Sequence, residues 1–169
     1  MNGPARREGF TLIELLLYVA LVSAMLLTIS VFLANIFQAR VKNQTIAEVE
    51  QQGLQIMQEM TQAARNSEAI TAPIVGASGV SLALDVVAVV DDPTVFAESG
   101  SVLQITEGVG SAVDLHGDSV TASGLTFTNV SYAGTPGAVR IEFTLTHVNP
   151  SGRNEYDYSK TFYGTAALR

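Results

Sequence analysis

The chain has 169 residues, of which 47% are apolar and 15% charged, and its formal net charge is −7. This composition excludes a disordered tail, and the acidic balance disfavours direct nucleic acid binding, which requires clustered lysines and arginines. The chain has no cysteine and only two histidines, His116 and His147, which excludes disulfide frameworks, thiolate zinc sites and HExxH-type metal sites. We therefore expect neither a metal nor a cofactor.

The first predicted element is an apolar segment, residues 10–37, with Glu14 as its single charged residue. About 20 apolar residues are enough to cross a bilayer as a helix. The Leu, Ile, Val and Phe residues after Glu14 favour insertion by roughly 4 to 8 kcal/mol, more than one acidic residue near the end costs. A buried core helix is disfavoured because the domain is too small to surround it, and a secretory signal because no A-x-A-like site follows. We predict a retained membrane-spanning helix.

Glu14 is the unusual residue of this segment. A carboxylate inside an apolar helix is unfavourable unless a cation neutralises it, and the helix dipole contributes less than about 1 kcal/mol. The segment contains no cation. We therefore expect a group outside this helix to neutralise Glu14.

The residues around Glu14 form a specific motif. Residues 9–16 read GFTLIELL. They follow a short basic leader, MNGPARREG, which ends at Gly9. This string resembles the prepilin cleavage and methylation motif of type IV pilins and type II secretion pseudopilins. The resemblance implies a pilin-like fold, a leader over residues 1–9 that is removed, and a helix over residues 10–37 that serves in both membrane insertion and assembly.

The resemblance also implies roles for individual residues. A prepilin peptidase would cut between Gly9 and Phe10, and the new amine of Phe10 would be methylated. Glu14 would pair with the Phe10 ammonium of a neighbouring subunit, which is the missing cation. The implied partners are the prepilin peptidase/methyltransferase, other pilin or pseudopilin subunits, the inner-membrane assembly platform and the cytoplasmic membrane.

The resemblance implies a location as well: a single pass through the cytoplasmic membrane with the globular domain outside, and then a pilus or pseudopilus at the cell surface. Charge alone does not predict this topology. Arg6 and Arg7 precede the span, and Arg40 and Lys42 follow it, so the flanking basic residues are equal in number.

An amphipathic helix is predicted over residues 38–70. Gaps of three and four separate the members of one stripe, which Leu54 broadens. Gly53 is the weak point, because glycine costs about 1 kcal/mol relative to alanine inside a helix. Pro73 sets the helix end between Asn66 and Ala72. Residues 50–65 also resemble the J-type minor pseudopilins and W-type minor pilins. The stripe consists of Ile46, Val49, Gly53, Ile56, Met57, Met60, Ala63 and Ala64.

Residues 71–169 are predicted to form a β-rich extracytoplasmic domain. Apolar and polar residues alternate over 139–146, as in an antiparallel strand with one solvated face. We expect the last three strands to form a meander whose apolar face packs on the helix stripe. The predicted fold class is therefore α+β, with a long N-terminal helix packed on one antiparallel β-sheet. The predicted strands cover residues 80–90, 102–106, 112–115, 125–132, 138–148 and 154–163.

Candidate sites for chemistry in this domain are few. The acidic groups Asp91, Asp92 and Glu98, or Asp114 and Asp118, could bind Ca²⁺, but solvated loop acids are the favoured interpretation. His116 is predicted to be a loop residue, and His147 to lie on a strand face. No GxSxG motif or acid–base partner supports a serine nucleophile. The glycan-acceptor patterns at Asn43 and Asn129 are attributed to chance, and the aromatic residues Tyr156, Tyr158, Phe162 and Tyr163 to sheet packing.

The sequence therefore predicts a non-enzymatic structural subunit of a type IV pilus or type II secretion pseudopilus, of the minor class. Two alternatives stay open. One is a membrane-anchored extracytoplasmic binding module that does not enter a filament. The other is an anchored hydrolase, which would need an acid–base constellation. Adhesion, DNA uptake, motility and secretion are equally compatible with the sequence.

Overall fold

The structure is a computed structural model that describes residues 11–132, 134 and 137–169. The chain divides into two units, Met1–Arg40 and Val41–Arg169. Helix α1 (Leu12–Asn66) contributes residues to both units. Gly9 and Phe10, the predicted cleavage residues, lie outside the described residues.

The first unit is described from residue 11 to residue 40. It is helical from Leu12, and every side chain in this range is exposed. The helix contains one stretch that is long and apolar enough to cross a membrane, with a mean hydropathy of 2.5. By length and composition this agrees with the predicted span, although the same features also occur in signal sequences.

The second unit combines residues 41–66 of α1 with antiparallel sheets, so its fold is α+β as predicted. A short 3-10 helix, η1 (Asn154–Tyr156), lies between the last two strands. The strands of the described residues are β1 (Ser67–Ala72), β2 (Ser78–Gly79), β3 (Ser81–Val86), β4 (Thr94–Ser99), β5 (Val102–Glu107), β6 (Val113–Asp114), β7 (Val120–Asn129), β8 (Ala138–His147) and β9 (Ser159–Ala167).

The strands form two sheets where the sequence predicts one. The first has the order β1-β3-β4-β5-β6 and the second the order β2-β7-β8-β9. The second sheet contains the predicted meander, in which β8 pairs antiparallel with both β7 and β9. Alternation along a strand predicts which face is buried but not which strand it joins, because pairing depends on residues far apart in sequence.

The core of this unit joins the helix stripe to both sheets. Phe127 and Phe143 in the second sheet are fully buried, as are Leu82 and Phe96 in the first. The helix contributes five residues of the predicted stripe, and Leu54, expected to broaden it, is instead 63% exposed. The buried helix residues are Thr45, Val49, Gly53, Ile56, Met60 and Ala64.

Several predicted boundaries shift. The helix ends at Asn66, the first residue of the predicted interval, and strand β1 occupies Ser67–Ala72 where helix or loop was expected. The apolar run over 80–90 forms a strand only as far as Val86. The last predicted strand begins with η1 and becomes extended at Ser159. Strand β4 was not predicted at all, because its six residues lack clear alternation.

Candidate assembly site

Thr11 and Glu14 lie at the beginning of α1. The Leu15 amide donates to the Thr11 carbonyl oxygen at 3.1 Å, and the Glu14 amide lies 3.4 Å from Thr11 Oγ1. This is one half of a capping box, a pattern in which a threonine and a glutamate three residues later satisfy free amides of the first turn. The cap accounts for the position of the Glu14 amide. None of the ion pairs of the described residues includes the Glu14 carboxylate.

The helix surface that follows Glu14 is apolar on all sides. Leu27 is 67% exposed, and Ile36, the most covered large apolar residue between Glu14 and Phe37, is still 40% exposed. Three hydroxyl groups within this stretch bond to the backbone of their own helix. Ser23 and Ser30 donate to carbonyl oxygens four residues earlier, and Thr28 to the carbonyl oxygen three residues earlier. Hydroxyl groups that are bonded in this way are compatible with a lipid environment.

Lys42, the first basic residue of the second unit, is bound within its own domain. Its Nζ donates to the carbonyl oxygens of Asn154, at 3.2 Å, and Asp157. The Lys42 ammonium also lies 6.0 Å from the centroid of the Tyr158 ring. The side chain therefore attaches the helix to the connection between β8 and β9, a structural role that the flanking-charge argument did not foresee.

A polar junction joins the helix to the second sheet through Glu48, Gln52, Ser119 and His147. Ser119 Oγ donates to Glu48 Oε1 at 2.5 Å, and His147 Nε2 lies 3.6 Å from Glu48 Oε2. Gln52 accepts the Gly117 amide at 3.2 Å and donates to Ser119 Oγ at 3.1 Å. Sequence reasoning missed this junction, because 71 positions separate Glu48 from Ser119 and no local motif connects them.

The junction contains the residue types of a serine hydrolase in a different order. In a catalytic triad the imidazole lies between serine and carboxylate, so that it can remove the serine proton. Here the Glu48 carboxylate lies between Ser119 and His147 and receives the serine hydrogen bond itself. The arrangement stabilises the contact between helix and sheet and gives the hydrolase alternative no activated nucleophile at this position.

The two histidines have structural surroundings. His116 Nε2 accepts the Leu103 amide at 3.2 Å, and its Nδ1 lies 3.0 Å from the Gly117 carbonyl oxygen, so the predicted loop residue links its loop to β5. His147 lies at the end of β8, as predicted. Its ring stacks on Tyr156 with 5.7 Å between the centroids.

The acidic residues considered for Ca²⁺ do not belong to a group of three that could hold a metal ion among the described residues. Asp92 Oδ1 accepts the Val86 amide and Glu98 Oε2 accepts the Leu125 amide, each at 3.4 Å. Asp114 accepts a hydrogen bond from Gln104 at 2.7 Å. Among the described residues, no group of three histidine or acidic side chains could hold a metal ion.

The two asparagines with a glycan-acceptor pattern lie in opposite environments. Asn43 is exposed on α1. Asn129 is 1% exposed, its Nδ2 donates to the Pro73 carbonyl oxygen at 2.8 Å, and its Oδ1 accepts the Ser131 amide at 3.1 Å. The pattern at Asn129 therefore marks a buried structural amide.

The C-terminal aromatic residues do not form one cluster. Phe162 packs on Phe143 with 5.4 Å between the ring centroids and belongs to the core, as predicted. Tyr158 packs at the edge of the core, and Tyr163 is 67% exposed on the outer face of β9.

Comparison with known proteins adds no relative: no family model, curated protein or solved structure matches this chain.

Proposed function

We propose that this chain is a structural, non-enzymatic subunit of a type IV pilus or type II secretion pseudopilus that assembles through its N-terminal helix. The observation that carries the proposal is the position of Glu14. This acidic residue lies at the start of an apolar and exposed helical segment, and no ion pair of the described residues includes it. The motif over residues 9–16, with its Gly9–Phe10 junction, supplies the neutralising group in the form of a neighbouring Phe10 ammonium.

Two environments account for the exposed apolar surface of residues 11–40. Before assembly, lipid covers it, since the stretch has the length and hydropathy of a membrane span. After assembly, the same surface packs against the helices of neighbouring subunits. The cost of leaving Glu14 unpaired in an apolar surrounding makes its pairing selective for a correctly positioned amine.

The domain formed by residues 41–169 would then lie outside the membrane and determine what the filament contacts. The resemblance of residues 50–65 to J-type and W-type subunits favours a minor subunit. The chain has no cysteine, unlike pilins that close a C-terminal loop with a disulfide, which also favours a pseudopilin or minor subunit.

The proposal is tested by the neutral variant Glu14→Gln, expressed in the host at native levels. We expect the variant to insert into membranes at least as well as the wild type, because a charge is removed, but to be lost from the sheared or cross-linked filament fraction by tenfold or more. Glu59→Gln is the matched control, since Glu59 is exposed on the same helix within the domain. Unchanged assembly of Glu14→Gln would contradict the role of Glu14, and absence of the wild type itself from the filament fraction would favour the anchored binding module.

A further inference from the structure

Two loops of the domain carry an exposed apolar patch. The β3–β4 connection contributes Val87, Val89 and Val90, and the β5–β6 connection contributes Val109; each is at least 72% exposed. We call these four residues the valine tip. Loop residues facing water are usually polar, and adjacent exposed apolar side chains mark surfaces that contact another macromolecule.

Backbone contacts connect the two loops of the valine tip. Gly108 has a positive φ of 53°, and a Cβ atom there would lie 2.0 Å from the Val90 carbonyl oxygen, so the two loops pack backbone against backbone. The Gly108 amide donates to the Pro93 carbonyl oxygen at 3.1 Å, and the Asp91 amide donates to the Ala88 carbonyl oxygen at 2.9 Å. A surface ordered before binding loses little conformational freedom on association.

Two exposed acidic residues lie beside the valine tip in sequence, Asp92 in the β3–β4 connection and Glu107 at the end of β5. These charges disfavour an anionic bilayer surface as the partner of the valine tip. They fit instead a surface that combines apolar and basic side chains.

The chain itself presents such a surface on the outer side of α1. Leu54, Met57 and Thr61 line a groove of about 660 Å³, and Arg65 and Arg169 also belong to its lining. We call this the basic groove. Leu54 is exposed because it lines this groove rather than the core.

The domain that carries the two arginines is strongly acidic. Residues 41–169 contain six basic and fourteen acidic residues, a net charge of −8. Lys160 pairs with Glu50 and Arg153 with Glu155, whereas Arg65, Arg140 and Arg169 form no ion pair within the described residues, and of these three only Arg65 and Arg169 line the groove. Two copies of so acidic a domain repel each other unless opposite charges are aligned at the contact.

From this complementarity we propose that the valine tip of one copy docks in the basic groove of a second copy. Asp92 and Glu107 of the first copy would face Arg65 and Arg169 of the second. Because tip and groove are different surfaces, the contact is heterologous and leaves a free tip and a free groove for further copies. It is a property of residues 41–169 and does not depend on processing at Phe10. A minor subunit is one of low abundance. A few copies joined in a row by this contact are therefore compatible with a minor subunit.

Disulfide trapping tests the contact directly, since the natural chain has no cysteine. Val89→Cys and Gln58→Cys are prepared as separate full-length proteins in detergent, mixed and oxidised. Gln58 lines the groove and is exposed, so neither substitution disturbs the core. We expect the mixed dimer to form at least fivefold more than in two controls, Val89→Cys with Gln51→Cys and Val80→Cys with Gln58→Cys, which use other exposed positions.

A charge exchange separates a specific contact from chance collision. Arg65→Glu in the Gln58→Cys protein should reduce the trapped dimer at least threefold, and Glu107→Arg in the Val89→Cys protein should restore it. Equal yields in the test and control pairs, or no restoration by the exchanged charges, would overturn the proposal. Either result leaves the assembly role of Glu14 untouched, because that role is measured in the host filament.

Discussion

Gly53 of the helix and Phe162 of β9 approach so closely that a Cβ atom at position 53 would lie 2.1 Å from Cζ of the phenyl ring. Gly53 is buried among the core-facing residues of α1. Phe162 cannot easily move aside, since it is 6% exposed, stacks on Phe143 and lies 5.4 Å below the Lys160 ammonium. The residue that weakens the helix by propensity is therefore the residue that lets the helix pack on the sheet.

We predict that Gly53→Ala destabilises the domain by about 1–3 kcal/mol. Alanine improves helix propensity by about 1 kcal/mol, but the new methyl group overlaps a ring held on several sides. Urea unfolding followed by circular dichroism checks this. The exposed control Gln55→Ala should not lower the free energy of unfolding. The double variant Phe162→Leu with Gly53→Ala should lose less free energy of unfolding than the sum of the losses of the two single variants. Stabilisation by Gly53→Ala alone would contradict the observed packing.

Gly164→Ala is predicted to lower the free energy of unfolding much less, so that the variant stays within about 1 kcal/mol of the wild type. A Cβ atom at Gly164 would lie 2.2 Å from Met57 Sδ, which is an equally close approach. However, Met57 is half-buried and borders the open groove, so its flexible thioether can move outwards. The same unfolding measurement should therefore separate the two glycines, and equal losses would show that the helix–strand distance itself is the constraint.

These two glycines show what the sequence could and could not predict. Spacing of three and four identified Val49, Ile56 and Met60 as core residues, because burial of a helix face leaves a local signature. The need for glycine at position 53 is set by Phe162, more than a hundred residues later. The junction of Glu48 with Ser119 and His147 was hidden for the same reason. Glu14 was recognisable because both the apolar run and the motif around it are local.

Asn129→Asp is predicted to destabilise the domain by roughly 1–3 kcal/mol at neutral pH. The substitution removes the donor that binds the Pro73 carbonyl oxygen and places a buried carboxylate beside it. Part of the loss should be recovered in acid, where a protonated carboxyl group can donate again. Asn43→Asp, at the exposed acceptor pattern, is the matched control and should leave the unfolding midpoint unchanged. Equal midpoints for both variants would refute the buried role of Asn129.

The ion pair between Glu50 and Lys160, 2.6 Å apart, predicts a modest pH dependence of stability. The hydrogen bond from Lys160, together with its charge, lowers the pKa of Glu50 below its ordinary value of 4.5. The hydrogen bond from Glu50 likewise raises the pKa of Lys160 above 10.5. The contribution of the pair is therefore complete between these values. It is lost as pH falls through the lowered pKa of Glu50 or rises through the raised pKa of Lys160.

Thermal unfolding of the wild type and of Glu50→Gln checks this dependence. The wild type should be the more stable near neutral pH, and the difference should shrink as pH falls below 4.5. Because both side chains are solvent-accessible, the effect should be smaller than that of Gly53→Ala. Glu59→Gln, which removes an exposed helix charge outside the pair, serves as the control. A difference that persists unchanged in acid would assign the effect of Glu50 to packing.

Processing at the Gly9–Phe10 bond tests the central claim most directly. The intact mass and the N-terminal peptide of the native protein, isolated from host membranes, identify the first residue and its modification. The account predicts a chain that begins at N-methylated Phe10. An intact Met1, or a cut beyond Leu33, would contradict assembly through Phe10 and Glu14.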